Sequence, residues 1–158
     1  MENYKVESDF MHNGLRCVVV FTSMGHRCGY VGIDKEHPLF EKDYSCGCAM
    51  LDDISVHGGI TFSDGGYKSN YPIESDLWWF GFDCAHWQDS QDKVQSFKYG
   101  LITEEQLTRS TEEQLTRSKE FRFLNEGTHR DQEYVESECK LLAEQIAKLT
   151  EDDGQCSD

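Results

Sequence analysis

A chain of 158 residues is the length of one ordinary domain, and its 15 Lys and Arg against 30 Asp and Glu leave a formal net charge of −15. That balance argues against DNA or RNA binding and against an anionic membrane surface, since both draw affinity from basic side chains. No nucleic-acid and no membrane partner is therefore expected, while an acidic surface still suits solubility or a basic groove on a partner protein.

Met1 is followed by Glu2-Asn-Tyr-Lys-Val-Glu-Ser-Asp9 without an apolar stretch, so no signal peptide and a cytoplasmic location are expected. The seven cysteines are odd in number, which argues for reduced thiols rather than a disulfide framework. Arg16–Thr22 is β-branched and aromatic and reads as a buried strand. A loop over Ser23–Gly29 leads to a second short strand, Tyr30–Ile33. Glu36–Phe40 reads as a turn, with Pro38 holding His37 extended. Cys46-Gly-Cys48, taken with Cys28 and His26, lacks the Cys-x-x-Cys spacing of a zinc knuckle and reads as scattered thiols.

From Ile54 to Ser63, Ile, Val, Gly, Ile and Phe alternate with Ser55, His57, Gly59, Thr61 and Ser63. That period of two predicts a strand with one apolar and one hydroxyl-rich face, with a bulge or a close approach to the backbone at Gly58-Gly59. Asp64-Gly-Gly66 reads as a turn, and Leu77–Asp83 as a strongly hydrophobic central strand. Of 19 aromatic residues, 11 lie between Tyr30 and Trp87, which places the core in the first two thirds of the chain and leaves the rest peripheral. Gln88–Leu101 reads as a loop with one helical turn.

Thr103-Glu-Glu-Gln-Leu-Thr-Arg-Ser110 is repeated unchanged over Thr111–Ser118. Eight helical residues rotate the face by about 80° past two full turns, so the copies cannot share one apolar stripe. The repeat reads as a surface duplication, with Glu105–Arg109 and Glu113–Arg117 at helix-supporting spacing. Val135, Cys139, Leu142, Ile146 and Leu149 mark one face of an amphipathic helix over Arg130–Leu149, expected to lie on the sheet. The acidic tail 150–158 is expected to be disordered. These elements predict a single α+β domain over residues 1–149, with a mainly antiparallel sheet of about four to six strands and the C-terminal helix on one face.

The candidate site centres on the stretch between Val56 and Asp89. Its catalytic candidates are His57, Asp83 and His86. Its ligand-binding candidates are Ser55, Gly58, Gly59, Thr61, Ser63, Trp78, Trp79, Trp87 and Asp89. Three chemistries fit: acid–base work with Asp83 orienting His57 or His86, an N/O metal set of His57, Asp83 and His86, or nucleophilic attack by Cys84. The bland alternative is a buried small thiol and histidines that only satisfy backbone carbonyls. No cofactor is specified, because the chain lacks a Walker-type loop, a dinucleotide fingerprint and His-Glu-x-x-His. The aromatics around the site, Tyr30, Tyr67, Tyr71 and the three tryptophans among them, suit stacking on a base, so a small nucleotide-like ligand is the expected partner. Adjacent Trp78 and Trp79 should face opposite sides, one in the core and one on the polar face, and exposed aromatics are compatible with a homodimer.

At Val56-His-Gly-Gly-Ile-Thr-Phe-Ser63, Trp78-Trp-Phe-Gly-Phe-Asp-Cys-Ala-His86 and the helix Tyr134–Gln145, the sequence resembles a family of small uncharacterised proteins encoded by tailed bacteriophages. Gly29–Ile33, His37-Pro38 and Lys42–Tyr44 look like the same family's opening, so the likeness spans most of residues 28–149. The tandem repeat and the Cys46-Gly-Cys48 pair depart from the family pattern but fall outside these motifs. The resemblance implies a setting rather than a reaction: a phage protein at work in an infected bacterium, expected to sequester a nucleotide-derived immune signal. The alternatives are a phosphoesterase-like hydrolase using His57, Asp83 and His86, and an acidic inhibitor of a host protein.

Overall fold

Cys17 to Phe21 is wholly buried, an environment a strand finds only where both faces of its sheet are covered. In the computed structural model, which describes residues 2–45, 51, 53–85, 89–110, 112 and 130–149, that run lies within β2 (Leu15–Thr22). Strands β1 (Tyr4–His12), β3 (Arg27–Ile33), β4 (Phe62–Gly65) and β5 (Trp78–Asp83) complete one five-stranded sheet in the order β1-β2-β3-β5-β4. Every neighbouring pair is antiparallel. Helices α1 (Gly66–Ser69), α2 (Lys93–Lys98) and α3 (Gln132–Ala147) complete the labelled elements, so the chain is the α+β domain its pattern predicts.

The sheet has two apolar faces because successive side chains of a strand point to opposite sides. Cys17, Val19, Val31, Ile33, Trp78, Phe80 and Phe82 face α3, whose Val135, Cys139, Leu142, Ala143 and Ile146 are buried against them. The far third of the chain is thus part of the core and not peripheral. Gly29 makes the close approach possible: a Cβ there would lie 2.4 Å from the Phe82 ring and 2.6 Å from the Cys139 sulfur. The helix is held at both ends. Asp131 accepts from the Tyr134 N–H at 2.8 Å at the N-cap, and His37 Nε2 lies 2.9 Å from the Ile146 carbonyl. Since His37 Nδ1 accepts from the Leu39 N–H, it is Nε2–H that donates to this helix end.

The opposite face carries a smaller cluster of Val18, Val20, Tyr30 and Trp79, covered by Tyr4, Val6, Phe62, Tyr71, Ile73 and Leu77. Trp78 and Trp79 do face opposite sides, but each enters a core. Their indole N–H groups donate to the Lys42 carbonyl and to Ser75 Oγ.

Further sequence expectations need correction. Only the last residues of the expected strand Ile54–Ser63 are strand, and Asp64 and Gly65 belong to β4 rather than to a turn. Residues 54–61 are irregular because Gly58 and Gly59 take φ of 70° and 80°, a pair of left-handed residues that makes a turn, closed by Gly59 N–H donating to the Val56 carbonyl at 2.9 Å. Ile54, Val56 and Ile60 still pack against the helix-side core, which explains why they alternate without forming a ladder. β1, to which the sequence reading assigns no element, is a half-exposed edge strand joined to β2 by an Asn13–Gly14 turn. Its register slips between Val6 and Ser8, leaving Glu7 as an extra residue.

The first copy of the repeat is helical over 104–110 and exposed apart from the half-buried Leu107 and Ser110, with the expected Glu105–Arg109 pair at 3.1 Å. Thr103 and Gln106 cap its start reciprocally. The second copy (Glu112 apart), Cys46-Gly-Cys48 and the tail 150–158 lie outside the described residues.

Candidate functional site

Charges are buried at one end of the helix-covered face. Asp89 has a fully buried side chain and accepts from two partners: Arg130 Nε at 2.9 Å on Oδ1, and the His57 ring, whose Nε2 is 3.0 Å from Oδ2. His57 Nδ1 lies 2.8 Å from the Tyr134 hydroxyl, and a Glu138 carboxylate oxygen stands 3.4 Å from the same hydroxyl. The His57 and Tyr134 rings meet edge to face at 5.5 Å, and the Arg130 guanidinium sits 4.9 Å from the centre of the Tyr134 ring. Cys84, at the end of β5, is buried beside His57 and Asp89.

Each member is positioned by a local feature. The Gly58–Gly59 turn reverses the chain so that His57 points toward the first turn of α3. Ser55, two residues earlier, is held by Gln145: the amide oxygen accepts from Ser55 N–H and the amide nitrogen donates to its carbonyl, both at 2.8 Å. Residues 55–57 thereby run along the helix flank. Arg130 immediately precedes the N-cap, and its carbonyl accepts from Arg27 at 3.1 Å. Arg27 in turn grips the bulged Glu7 through two bonds of 2.7 and 3.1 Å, and Tyr99 donates to the same carboxylate at 2.7 Å. Tyr99–Glu7–Arg27 and Arg130–Asp89–His57–Tyr134 therefore form one polar network around the start of α3.

Charge state follows from surroundings. The hydrogen bond to Asp89 holds Arg130 firmly protonated. Burial, and then the Asp89 carboxylate, push the Cys84 thiol up to about 12, and burial with the Glu138 charge keeps Tyr134 a phenol. With Nε2–H donating to Asp89, the unprotonated Nδ1 accepts from the Tyr134 hydroxyl.

The residues expected to share one pocket are divided by the sheet. Asp83 pairs with Cys28 across β5 and β3, on the face opposite Phe82, so strand parity directs it away from His57. There it accepts from Thr61 Oγ1 and from the Ala85 N–H, both at 3.1 Å, and caps the strand end. Asp89 takes the orienting role that Asp83 was expected to have. Ser63 Oγ accepts from the Tyr44 N–H, and Trp78 and Trp79 are core residues. His86 and Trp87 lie outside the described residues. Arg130, Tyr134 and Glu138 are functional candidates that sequence reasoning misses. They lie more than 40 residues after Asp89, and the apolar stripe that reveals the helix says nothing of its flank.

No family model, curated protein or solved structure matches the chain. Among the described residues no helix is long and apolar enough to cross a membrane.

Proposed function

We propose that this protein binds a small anionic, nucleotide-like ligand where His57, Arg130 and Tyr134 meet. The observation that carries the reading is the fully buried Asp89 carboxylate, which fixes an arginine and a histidine side by side. Desolvating such a carboxylate costs several kcal/mol, and a buried ion pair adds little net stability, so what the arrangement supplies is fixed placement of the Arg130 guanidinium beside the His57–Tyr134 pair. A guanidinium fork matches phosphate oxygens. The Tyr134 ring offers an aromatic face or edge to a base, and the Gly58–Gly59 turn offers exposed backbone close by. With acids in twofold excess over the chain, an anion is drawn to such a local concentration of donors and not to the surface at large. Taken with the bacteriophage resemblance, the reading is sequestration of a nucleotide-derived signal in the cytoplasm of an infected bacterium.

A second reading is hydrolysis of the same ligand. It is favoured by the Asp89–His57 contact, since a carboxylate that orients an imidazole equips it as a general base. One experiment tests both. The protein is incubated with linear and cyclic nucleotides, separated from unbound ligand, and heat-denatured. Recovery of an intact nucleotide supports binding, and recovery of a cleaved one supports hydrolysis. If none is retained and none shifts the melting temperature, both readings fail.

A further inference from the structure

We infer that His57, Cys84 and Asp89 form a binding site for a zinc-type divalent transition metal. One ligand atom from each residue lies within 4.8 Å of the others. Cys84 and Asp89 are buried and the His57 side chain is 9% exposed, so the core and not a chance surface grouping sets their placement. Tetrahedral zinc, with bonds of about 2.0–2.3 Å, spreads its ligand atoms about 3.3–3.6 Å apart. Closing the observed triangle onto an ion therefore takes side-chain shifts on the order of 1 Å. A thiolate, an imidazole and a carboxylate together select zinc or a neighbouring transition metal, because magnesium and calcium take oxygen donors. Three protein donors leave a fourth position open, as zinc sites that do chemistry or hold a ligand require.

The groups behind the triad give the second, independent support. A metal on His57 Nε2 requires Nδ1–H to find an acceptor, and the Tyr134 oxygen stands 2.8 Å away with Glu138 at 3.4 Å to take the phenol proton in turn. Arg130 engages Asp89 Oδ1, while Oδ2 is the oxygen that faces His57 Nε2, so the ion would enter between these two. The proton balance is simple. Metal entry releases the Cys84 thiol proton to solvent, while the His57 proton moves from Nε2 to Nδ1 and the ring stays neutral. A divalent ion with one thiolate, one carboxylate and the Arg130 cation leaves a formal charge of +1, which suits an anion at the fourth position. The inference stands apart from the nucleotide reading, because the ion is measured directly and needs no organic ligand.

The test is cobalt titration of the metal-stripped full chain. One Co2+ per chain should bind with a thiolate-to-cobalt charge-transfer band and visible bands of tetrahedral intensity, and Zn2+ should displace it stoichiometrically. Cys84→Ser should abolish the charge-transfer band, and His57→Ala should abolish tight binding. The Cys46→Ser/Cys48→Ser double variant should leave both unchanged. Absence of the band in the unaltered chain at saturating Co2+ overturns the inference without recourse to any variant. A band that survives Cys84→Ser, or one lost with Cys46 and Cys48, also overturns it.

Discussion

The two faces of the sheet are finished in different ways. The helix-covered face is aliphatic and aromatic along its length and closes, around the start of α3, on buried charges: Glu7 with Arg27, and Asp89 with Arg130 and His57. The opposite face is covered by loops and by aromatic rings, with Tyr30, Tyr71 and Phe62 packed edge to face and the Tyr30 and Tyr71 hydroxyls 2.6 Å apart. Its own acid, Asp83, is half-buried and caps a strand end. Both faces bury apolar surface, but among the described residues the buried carboxylates paired with cationic side chains lie at the helix-covered one. That difference is why the proposed site is placed at the helix-covered face.

The largest expected effect falls on Asp89. Asp89→Ala leaves Arg130 and His57 without their shared carboxylate and should cost about 3–5 kcal/mol of unfolding free energy, whereas Asp83→Ala should cost less than about 1 kcal/mol. Urea denaturation of the two variants measures the contrast, and equal losses would erase the distinction between the faces. Gly29→Ala comes next. Its Cβ would meet Phe82 and Cys139, and overpacking of this kind costs about 1–3 kcal/mol, read as a lowered denaturation midpoint.

Tyr134→Phe and Tyr71→Phe each remove one hydroxyl from a contact and should each cost about 0.5–1.5 kcal/mol. Only the first should alter ligand or metal affinity, which calorimetric titration reads.

The smallest effect belongs to the surface. Arg16, through its hydrogen bond, holds the Asp9 carboxyl below its ordinary value of 3.8. A depressed carboxylate stabilises the fold above its unfolded pKa, and that contribution disappears as pH falls through the lower, folded value. Asp9→Asn should therefore lose less than about 1 kcal/mol at neutral pH, with the gap to the unaltered chain closing below about pH 4. Because both partners are about a third exposed, added salt should shrink the gap as well.

Legibility in the sequence follows the same division. β2, β3, β5 and α3 are readable because continuous burial and a 3–4 spacing are local patterns. Ile54–Thr61 misleads because Ile54, Val56 and Ile60 touch the core from a loop, producing a strand's alternation without its backbone. His57 and Asp89 can be picked out as polar residues flanking apolar segments. Their pairing cannot, since it depends on a turn at Gly58–Gly59 and on where the chain returns after β5. Asp83 is the tempting partner by proximity in sequence, yet strand parity sends it to the other face. Arg130 and Tyr134 become visible only when the start of α3 is set beside them in space.

The most direct measurement is a 1H–15N titration of the full chain with whichever nucleotide raises its melting temperature most. The amides of His57, Gly58, Gly59, Arg130 and Tyr134 should shift together, while those of Phe62, Tyr71 and Asp83 stay in place. Shifts concentrated on Tyr4, Tyr71 and Asp83 instead would place the ligand on the opposite face and contradict the account.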